Sequence, residues 1–261
     1  MSEKKTVLFL ASFGTSVLRA KEESYDKIQA LLEETSHLPV WQIFTDDDTA
    51  RAVSGVDGKT IYTVEDALET AIILGYDNVI VVPVFFAKGE LYNSLRTRLD
   101  YYRDRIDISM TEAVLYDTAS CHEVARVLME VIKPAPEKEY LLVGHGNSVY
   151  HNQGYGIVEE AFRSAGYENV RVIKLKEKDS VGQAIAWLKK RGADMRDVQV
   201  EIVPLVVAWG DYMVGELYSS EDSFMWQLRK AGFRTVFTGK GLGEYEKFRG
   251  IYTNRLAGLK K

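Results

Sequence analysis

The chain has 261 residues, 46% apolar and 27% charged, with a net charge of −5 and a single cysteine, Cys121. This is an ordinary composition for a globular protein of one large domain or two of about 130 residues. It excludes a nucleic-acid binder rich in Lys and Arg, a membrane span, an internal disulfide and a thiolate metal cluster.

The charged start Met1-Ser2-Glu3-Lys4-Lys5 leads directly into an apolar stretch with no signal-peptide core, so the expected location is the cytoplasm. Thr6 to Ser12 reads as a fully buried strand. Phe13-Gly14-Thr15-Ser16 reads as the turn after it, with Ser16 capping a helix through Ile28, Leu31 and Leu32. Val40 to Phe44 is a second strand, and Thr45-Asp46-Asp47-Asp48 a helix start. Thr63 to Leu74 is a helix capped by Thr63 and ended by Gly75. Asn78 to Phe86 is a strand buried on both faces, and Ala87-Lys88-Gly89-Glu90-Leu91-Tyr92 is the loop it enters. A charged helix follows over 93–105, a short strand over 113–116 and a helix over 121–132. Lys133-Pro134-Ala135-Pro136-Glu137 is the proline-rich stretch and the expected linker, dividing a domain at 1–133 from one at 138–261.

The pattern then starts again. Strands are expected over 140–143, 170–175 and 198–208, with helices over 152–165 and 181–191 closed by Gly166 and Gly192. The two halves share loop punctuation. Strand-Ser12-Phe13-Gly14-Thr15-Ser16 answers strand-Gly144-His145-Gly146-Asn147-Ser148. Pro83 with Gly89-Glu90 answers Pro204 with Gly210-Asp211 at the same spacing. The expected fold class is therefore α/β: two similar doubly wound parallel-sheet domains whose strand mouths face a central cleft.

Leu141-Leu142-Val143 breaks off abruptly at His145 between two glycines, which is how a buried parallel strand ends where ligands bind. The chain carries no G-x-x-x-x-G-K-[ST] and no G-x-G-x-x-G, so no nucleotide cofactor is expected, and no Ser-His-Asp set can be picked out. The aromatics Phe13, Phe85, Phe86, Tyr92, Trp209 and Tyr212 gather at predicted strand ends, as residues lining a flat apolar ligand would. His37 and His122 fall away from those ends and read as structural.

Ser12-Phe13-Gly14-Thr15-Ser16, Gly144-His145-Gly146, Pro204-Leu205 with Gly210-Asp211, and Gly241-Leu242-Gly243-Glu244 resemble the anaerobic sirohydrochlorin cobaltochelatases. These are class II chelatases, which share the ferrochelatase-like fold and work without ATP. Glu221-Asp222-Ser223 and Ala231-Gly232 also match, and the resemblance covers nearly the whole chain in order. It implies two α/β halves around a tetrapyrrole cleft. Cobalt, or another divalent metal, enters as substrate, and His145 serves as metal-binding catalytic residue. An imidazole suits either task, being a good Co²⁺ ligand that titrates near neutral pH.

The resemblance places substrate contacts at Ser12, Phe13, Gly14, Thr15, Phe85, Tyr92, Gly146 and Trp209. The sequence departs from the family at four positions. Tyr212 stands where the family has its second metal histidine, Leu91 where it has a metal-binding glutamate, Phe85 where a histidine is common, and Lys176 near a family glutamate. Glu90, one position from Leu91, and His151 are the candidate substitutes, giving an expected metal set of His145, Tyr212 and Glu90. Lys88 and Lys176 are candidates for the macrocycle's carboxylates. Three functions stay open. One is a chelatase with a rebuilt metal site. A second is a non-catalytic haem-binding protein, since tyrosine ligates ferric haem. The third is a fold relative that binds another small molecule. No nucleic-acid or membrane partner is expected, and a homo-oligomer stays open.

Overall fold

The computed structural model describes residues 4–146, 149–192 and 198–259, without the side chains of residues 149–152, 211 and 212. The chain clusters into two compact units, residues 1–116 with 249–261, and residues 117–248. The division thus falls at Tyr116–Asp117 and not in the proline-rich stretch. Asp117 accepts from the Ser120 N–H at 2.8 Å and caps the helix Thr118–Ile132, which clusters with the second unit. Residues 249–261 cluster with the first unit, and Ile251, Tyr252 and Leu256 among them are buried.

The first unit holds a parallel sheet of β1 (Thr6–Ser12), β2 (Val40–Phe44), β3 (Ile61–Tyr62), β4 (Asn78–Pro83) and β5 (Asp107–Met110), in the order β3-β2-β1-β4-β5. The second unit holds β6 (Lys138–Gly144), β7 (Val170–Lys174), β8 (Gln199–Pro204) and β9 (Arg234–Phe237), also parallel, in the order β7-β6-β8-β9. β1 and β6 lie inside their sheets and are buried along almost their whole length, which is why both read as continuous apolar runs. β1 packs Val7, Phe9 and Ala11 against Val64 and Leu68 of the helix Val64–Ile73 and against Leu95 and Leu99 of the helix Glu90–Asp100. In the second unit, Leu141 and Val143 of β6 share a core with Leu188, Leu217, Phe224 and Leu228.

The duplication expected from loop punctuation recurs in the hydrogen-bond register. Ala11 pairs with Pro83 across β1 and β4, and Val143 pairs with Pro204 across β6 and β8. The Val84 N–H donates to Ala11 O at 2.8 Å, and the Leu205 N–H donates to Val143 O at 2.7 Å. On the other flank, the Thr45 and Asp46 N–H groups donate to Ser12 O and Phe13 O. The Leu175 and Lys176 N–H groups donate to Gly144 O and His145 O in the same way. Phe13 is therefore the first unit's counterpart of His145, and Asp46 the counterpart of Lys176.

Several elements differ from the sequence reading. The fourth and eighth strands stop at Pro83 and Pro204, because proline lacks the N–H that would continue a ladder. The short strand expected over 113–116 is a single bridge from Leu115 to Ala87, and the strand in that region is β5, whose half-exposed residues give no apolar run. The helix expected over 93–105 is Glu90–Asp100, starting from Gly89, so Glu90, Leu91 and Tyr92 form its first turn. Val17, not Ser16, precedes the helix Leu18–Ala20, and Thr15 Oγ1 accepts from its N–H at 3.1 Å. No helix among the described residues is long and apolar enough to cross a membrane.

Candidate functional site

In open parallel sheets, ligands collect outside the carboxyl ends of the strands where the strand order reverses. That point lies between β1 and β4 in the first unit, and between β6 and β8 in the second. His145 follows β6 directly and therefore stands at the second switch point.

The turn that carries His145 is set by close packing. Gly144 packs against the ring of Tyr155, and a Cβ there would meet ring atoms at 2.6 Å. Gly146 has φ +59°, and a Cβ there would lie 2.5 Å from Lys174 Cβ on β7. Both glycines are thus required by their neighbours, one by contact and the other by contact and backbone conformation. The first unit repeats the device at Gly14, with φ +115° and a Cβ position 2.7 Å from Phe44 on β2.

His145 is half-buried. Burial pushes its imidazole below the ordinary value of 6.5; Glu216 opposes this and Lys176 adds to it. Burial thereby favours the neutral form of the ring, the form that can ligate a metal ion or accept a proton. Lys176 and Glu216 form an ion pair at 2.8 Å. Lys176 follows β7, and Glu216 lies in the π-helical segment Gly215–Ser219 beyond β8, so the mouths of three neighbouring strands supply His145, Lys176 and Glu216. Beside them runs a groove of about 330 Å³, lined by Lys176, Ser180, Glu216, Ser223 and Gln227 among others.

The other sequence candidates fall into distinct places. Ser12 and Thr15 are buried at the end of β1 and in its turn, while Phe13 is 48% exposed. Phe85 and Tyr92, expected at the ligand, are 8% and 6% exposed and belong to the first unit's apolar core. Tyr92 donates from its hydroxyl to Thr111 O at 3.3 Å. Helical spacing explains this: Tyr92, Leu95 and Leu99 share the buried face, which turns Glu90 and Leu91 outward. Trp209 is partly exposed in the segment after β8. The side chains of Tyr212 and His151 lie outside the described residues, as do Asn147 and Ser148. Among the described residues, no three His, Cys, Asp or Glu side chains come close enough together to hold a metal ion. His37 and His122 are exposed, His37 ending the helix Lys27–Ser36.

The glycine-rich motif at 241–244 has a structural account. The Leu242 and Gly243 N–H groups donate to Val206 O and Val207 O, each at 2.8 Å, and a Cβ on Gly241 would meet Val207 O at 2.5 Å. Glu244 accepts from the Gly241 N–H at 2.8 Å. The motif thereby fixes the segment that leads from β8 to Trp209.

The sequence matches the family model described as cobalt chelatase (CbiK) over residues 5–260. The chain belongs to the cobalt chelatase (CbiK) family. Among solved structures, SirB from Bacillus subtilis with Fe³⁺ has the same fold, with a TM-score of 0.67 and 14% identity over 97% of this chain and 94% of that one. The sirohydrochlorin chelatase SirB from Bacillus subtilis subspecies spizizenii, in complex with cobalt, gives a TM-score of 0.65 at 13% identity over the same shares. CbiX, the terminal enzyme for biosynthesis of sirohaem in denitrifying bacteria, gives 0.55 at 14% identity over 97% and 98%. No curated protein matches the chain.

Family membership draws attention to His145, whose own strand-mouth signal was clear in the sequence. It does not point to Glu216. A glutamate at the start of a helix after a strand mouth is common, and its meeting with Lys176 depends on β7 and β8 flanking β6.

Proposed function

We propose that this cobalt chelatase family member inserts cobalt, or another divalent metal, into a sirohydrochlorin-type tetrapyrrole, with His145 as the catalytic residue. The observation that carries the proposal is a half-buried imidazole at the switch point of the second sheet, where burial favours its neutral form. Insertion breaks two pyrrole N–H bonds as metal–nitrogen bonds form, so the site needs a donor for the incoming ion and an acceptor for protons. A neutral histidine serves as either. Its partial burial removes competing water without isolating it from the ligand.

Within this reading, Phe13 and Trp209 contact the macrocycle, and Ser12, Gly14, Thr15 and Gly146 shape the turns around it. Glu90 and Tyr212 remain proposed as further metal donors. Glu90 has the exposure an ion-capturing carboxylate needs. The solved chelatase structures carrying Fe³⁺ and cobalt support a metal substrate by analogy of fold. Haem as the ligand drew its motive from Tyr212 alone, and neither the family nor the solved structures add to it.

Absorbance titration of the purified protein with sirohydrochlorin and, separately, with haemin tests the reading. The expected result is a saturable shift of the sirohydrochlorin bands and no tight haemin complex. A saturable haemin complex, with no change in sirohydrochlorin, would replace the chelatase reading with that of a haem binder.

A further inference from the structure

The groove of about 330 Å³ at the mouth of β7 has two fixed walls and one polar group left over. On one wall, the Lys176 N–H donates to His145 O at 3.0 Å, which ties the end of β7 to the His145 turn. Ser180 Oγ donates to Leu175 O at 3.3 Å and ties it also to the start of the helix Ser180–Lys190. On the other wall, the Ser223 N–H donates to Ser220 O and the Gln227 N–H donates to Ser223 O, each at 3.0 Å. Gln227 Nε2 donates to Asp222 O at 2.7 Å. The backbone of Ser223 is thus fully paired.

Its hydroxyl is not. Ser223 precedes the helix Phe224–Lys230, where a serine ordinarily accepts from an N–H of the first turn, yet its side chain makes no capping bond. The residue is 2% exposed, its Oγ has no hydrogen-bond partner among the described residues, and it lines the groove. A buried hydroxyl in that state costs free energy until a ligand supplies the missing acceptor.

Lys176 lines the same groove, and its ammonium donates to Glu216 Oε1 at 2.8 Å. An ammonium has three N–H groups to distribute among acceptors, and the Lys176–Glu216 pair is neutral as a whole. The other charge on the lining is Asp222, which is exposed and screened by water. The lining therefore suits an acceptor of single charge. A phosphate dianion would meet more negative charge than one paired lysine offsets, and an apolar group would leave the Ser223 hydroxyl unpaired.

We propose that the groove is a subsite for one carboxylate arm of the tetrapyrrole, held by hydrogen bonds from the Ser223 hydroxyl and the Lys176 ammonium. This deepens the chelatase reading above and rests on it. Because Lys176 is bonded to the His145 turn, the arm is gripped beside the proposed catalytic residue, and a macrocycle without an anionic arm loses that grip.

Absorbance titration of the full chain with metal-free sirohydrochlorin reads the affinity, and thermal unfolding without ligand reads the fold. Ser223→Ala should weaken binding about tenfold, the loss of one hydrogen bond to a charged group. It should leave the melting temperature of the ligand-free protein unchanged or slightly raised, because the hydroxyl it removes has no partner there. A serine needed only for the fold would do the reverse, lowering the melting temperature and sparing the affinity. Lys176→Met should also weaken binding about tenfold, and Lys176→Arg, which keeps the charge, should bind nearly as the wild type does. The loss in Lys176→Met should be much smaller with the methyl-esterified macrocycle, whose arms carry no charge. Wild-type affinity in Ser223→Ala or in Lys176→Met, or an equal loss with the ester, would overturn the subsite. Cobalt insertion by the wild type, measured in parallel, separates the two readings. A wild type that metallates sirohydrochlorin beside unresponsive variants counts against the subsite alone. One that neither binds nor metallates it removes both.

Discussion

Replacing Gly146 by alanine tests whether the His145 turn is held by packing against β7. At φ +59° an alanine pays the left-handed penalty of roughly 1–2 kcal/mol. Its Cβ would also lie 2.5 Å from Lys174 Cβ, 2.9 Å from Lys174 Cγ and 3.3 Å from Lys174 Cα. Lys174 cannot simply retreat, because it pairs with Gly144 in the β6–β7 ladder. Relieving such a contact typically costs a further ~1–3 kcal/mol, so the total is about 2–5 kcal/mol. For a domain of this size that lowers the melting temperature by roughly 5–15 °C. Gly166→Ala is the control: φ there is +89°, and nothing lies within 4 Å of the Cβ position, so only the backbone penalty remains. Thermal and urea unfolding of both variants, with cobalt insertion assayed well below the melting range, separate strain from displacement. Gly146→Ala should be the less stable of the two and should lose insertion, since the relieved contact moves His145. Equal stability of the two variants, with normal insertion in both, would refute the packing argument.

Two further predictions concern protons and a buried ion network. Because burial lowers the His145 pKa, the acid limb of the insertion rate should have its midpoint below 6.5. The same depression means that His145 favours the fold above its usual pKa and that this contribution is lost as the pH falls; a limb centred at or above 6.5 would contradict it. Lys21 is buried between Asp26 at 2.9 Å and Asp57 at 2.7 Å, so Lys21→Met should cost about 3 kcal/mol in urea unfolding by taking the cation from Asp57 and leaving Asp26 with Lys59 as its one ion-pair partner. Burial raises the Asp26 pKa, but hydrogen bonds from Lys59, Gln42 and Lys21 outweigh it and hold the carboxyl below 3.8. Its stabilisation is therefore present above that value and lost as the pH falls through it, and Lys21→Met should flatten this acid dependence. A loss under about 1 kcal/mol would contradict the ion-network account.

The architecture could be read from the sequence because its central strands announce themselves. β1 and β4 are apolar almost throughout, β6 is so from Tyr140 and β8 from Ile202, and the glycines and prolines at or after their ends mark the turns that repeat in both sheets. What escaped had no such signal. β3 has two residues, and β5 and β9 lie at sheet edges with exposed positions, so none alternates or clusters strongly. The unit boundary escaped because prolines mark a turn without revealing which sheet the flanking helices serve.

The position of His145 at the mouth of β6 was visible from its two glycines and its abrupt strand end. Tyr92 and Phe85 read as ligand-lining because an aromatic at a strand end looks the same whether it faces solvent or core, and the structure buries both in the first unit's apolar core. Only the helix starting at Glu90, rather than three residues later, turns Tyr92 inward. Glu216 escaped because its meeting with Lys176 is set by sheet order, which no local pattern encodes.

The most direct test of the central claim is the rate of cobalt insertion by wild type and His145→Ala, with Co²⁺ and sirohydrochlorin mixed anaerobically and the metallated product followed by absorbance. Insertion should run well above the protein-free rate in the wild type. It should fall to that rate in His145→Ala while the melting temperature stays nearly unchanged, since a half-buried turn side chain contributes little to the core. Equal rates for wild type and variant, or a wild type no faster than the mixture without protein, would contradict His145 as the catalytic residue of a chelatase.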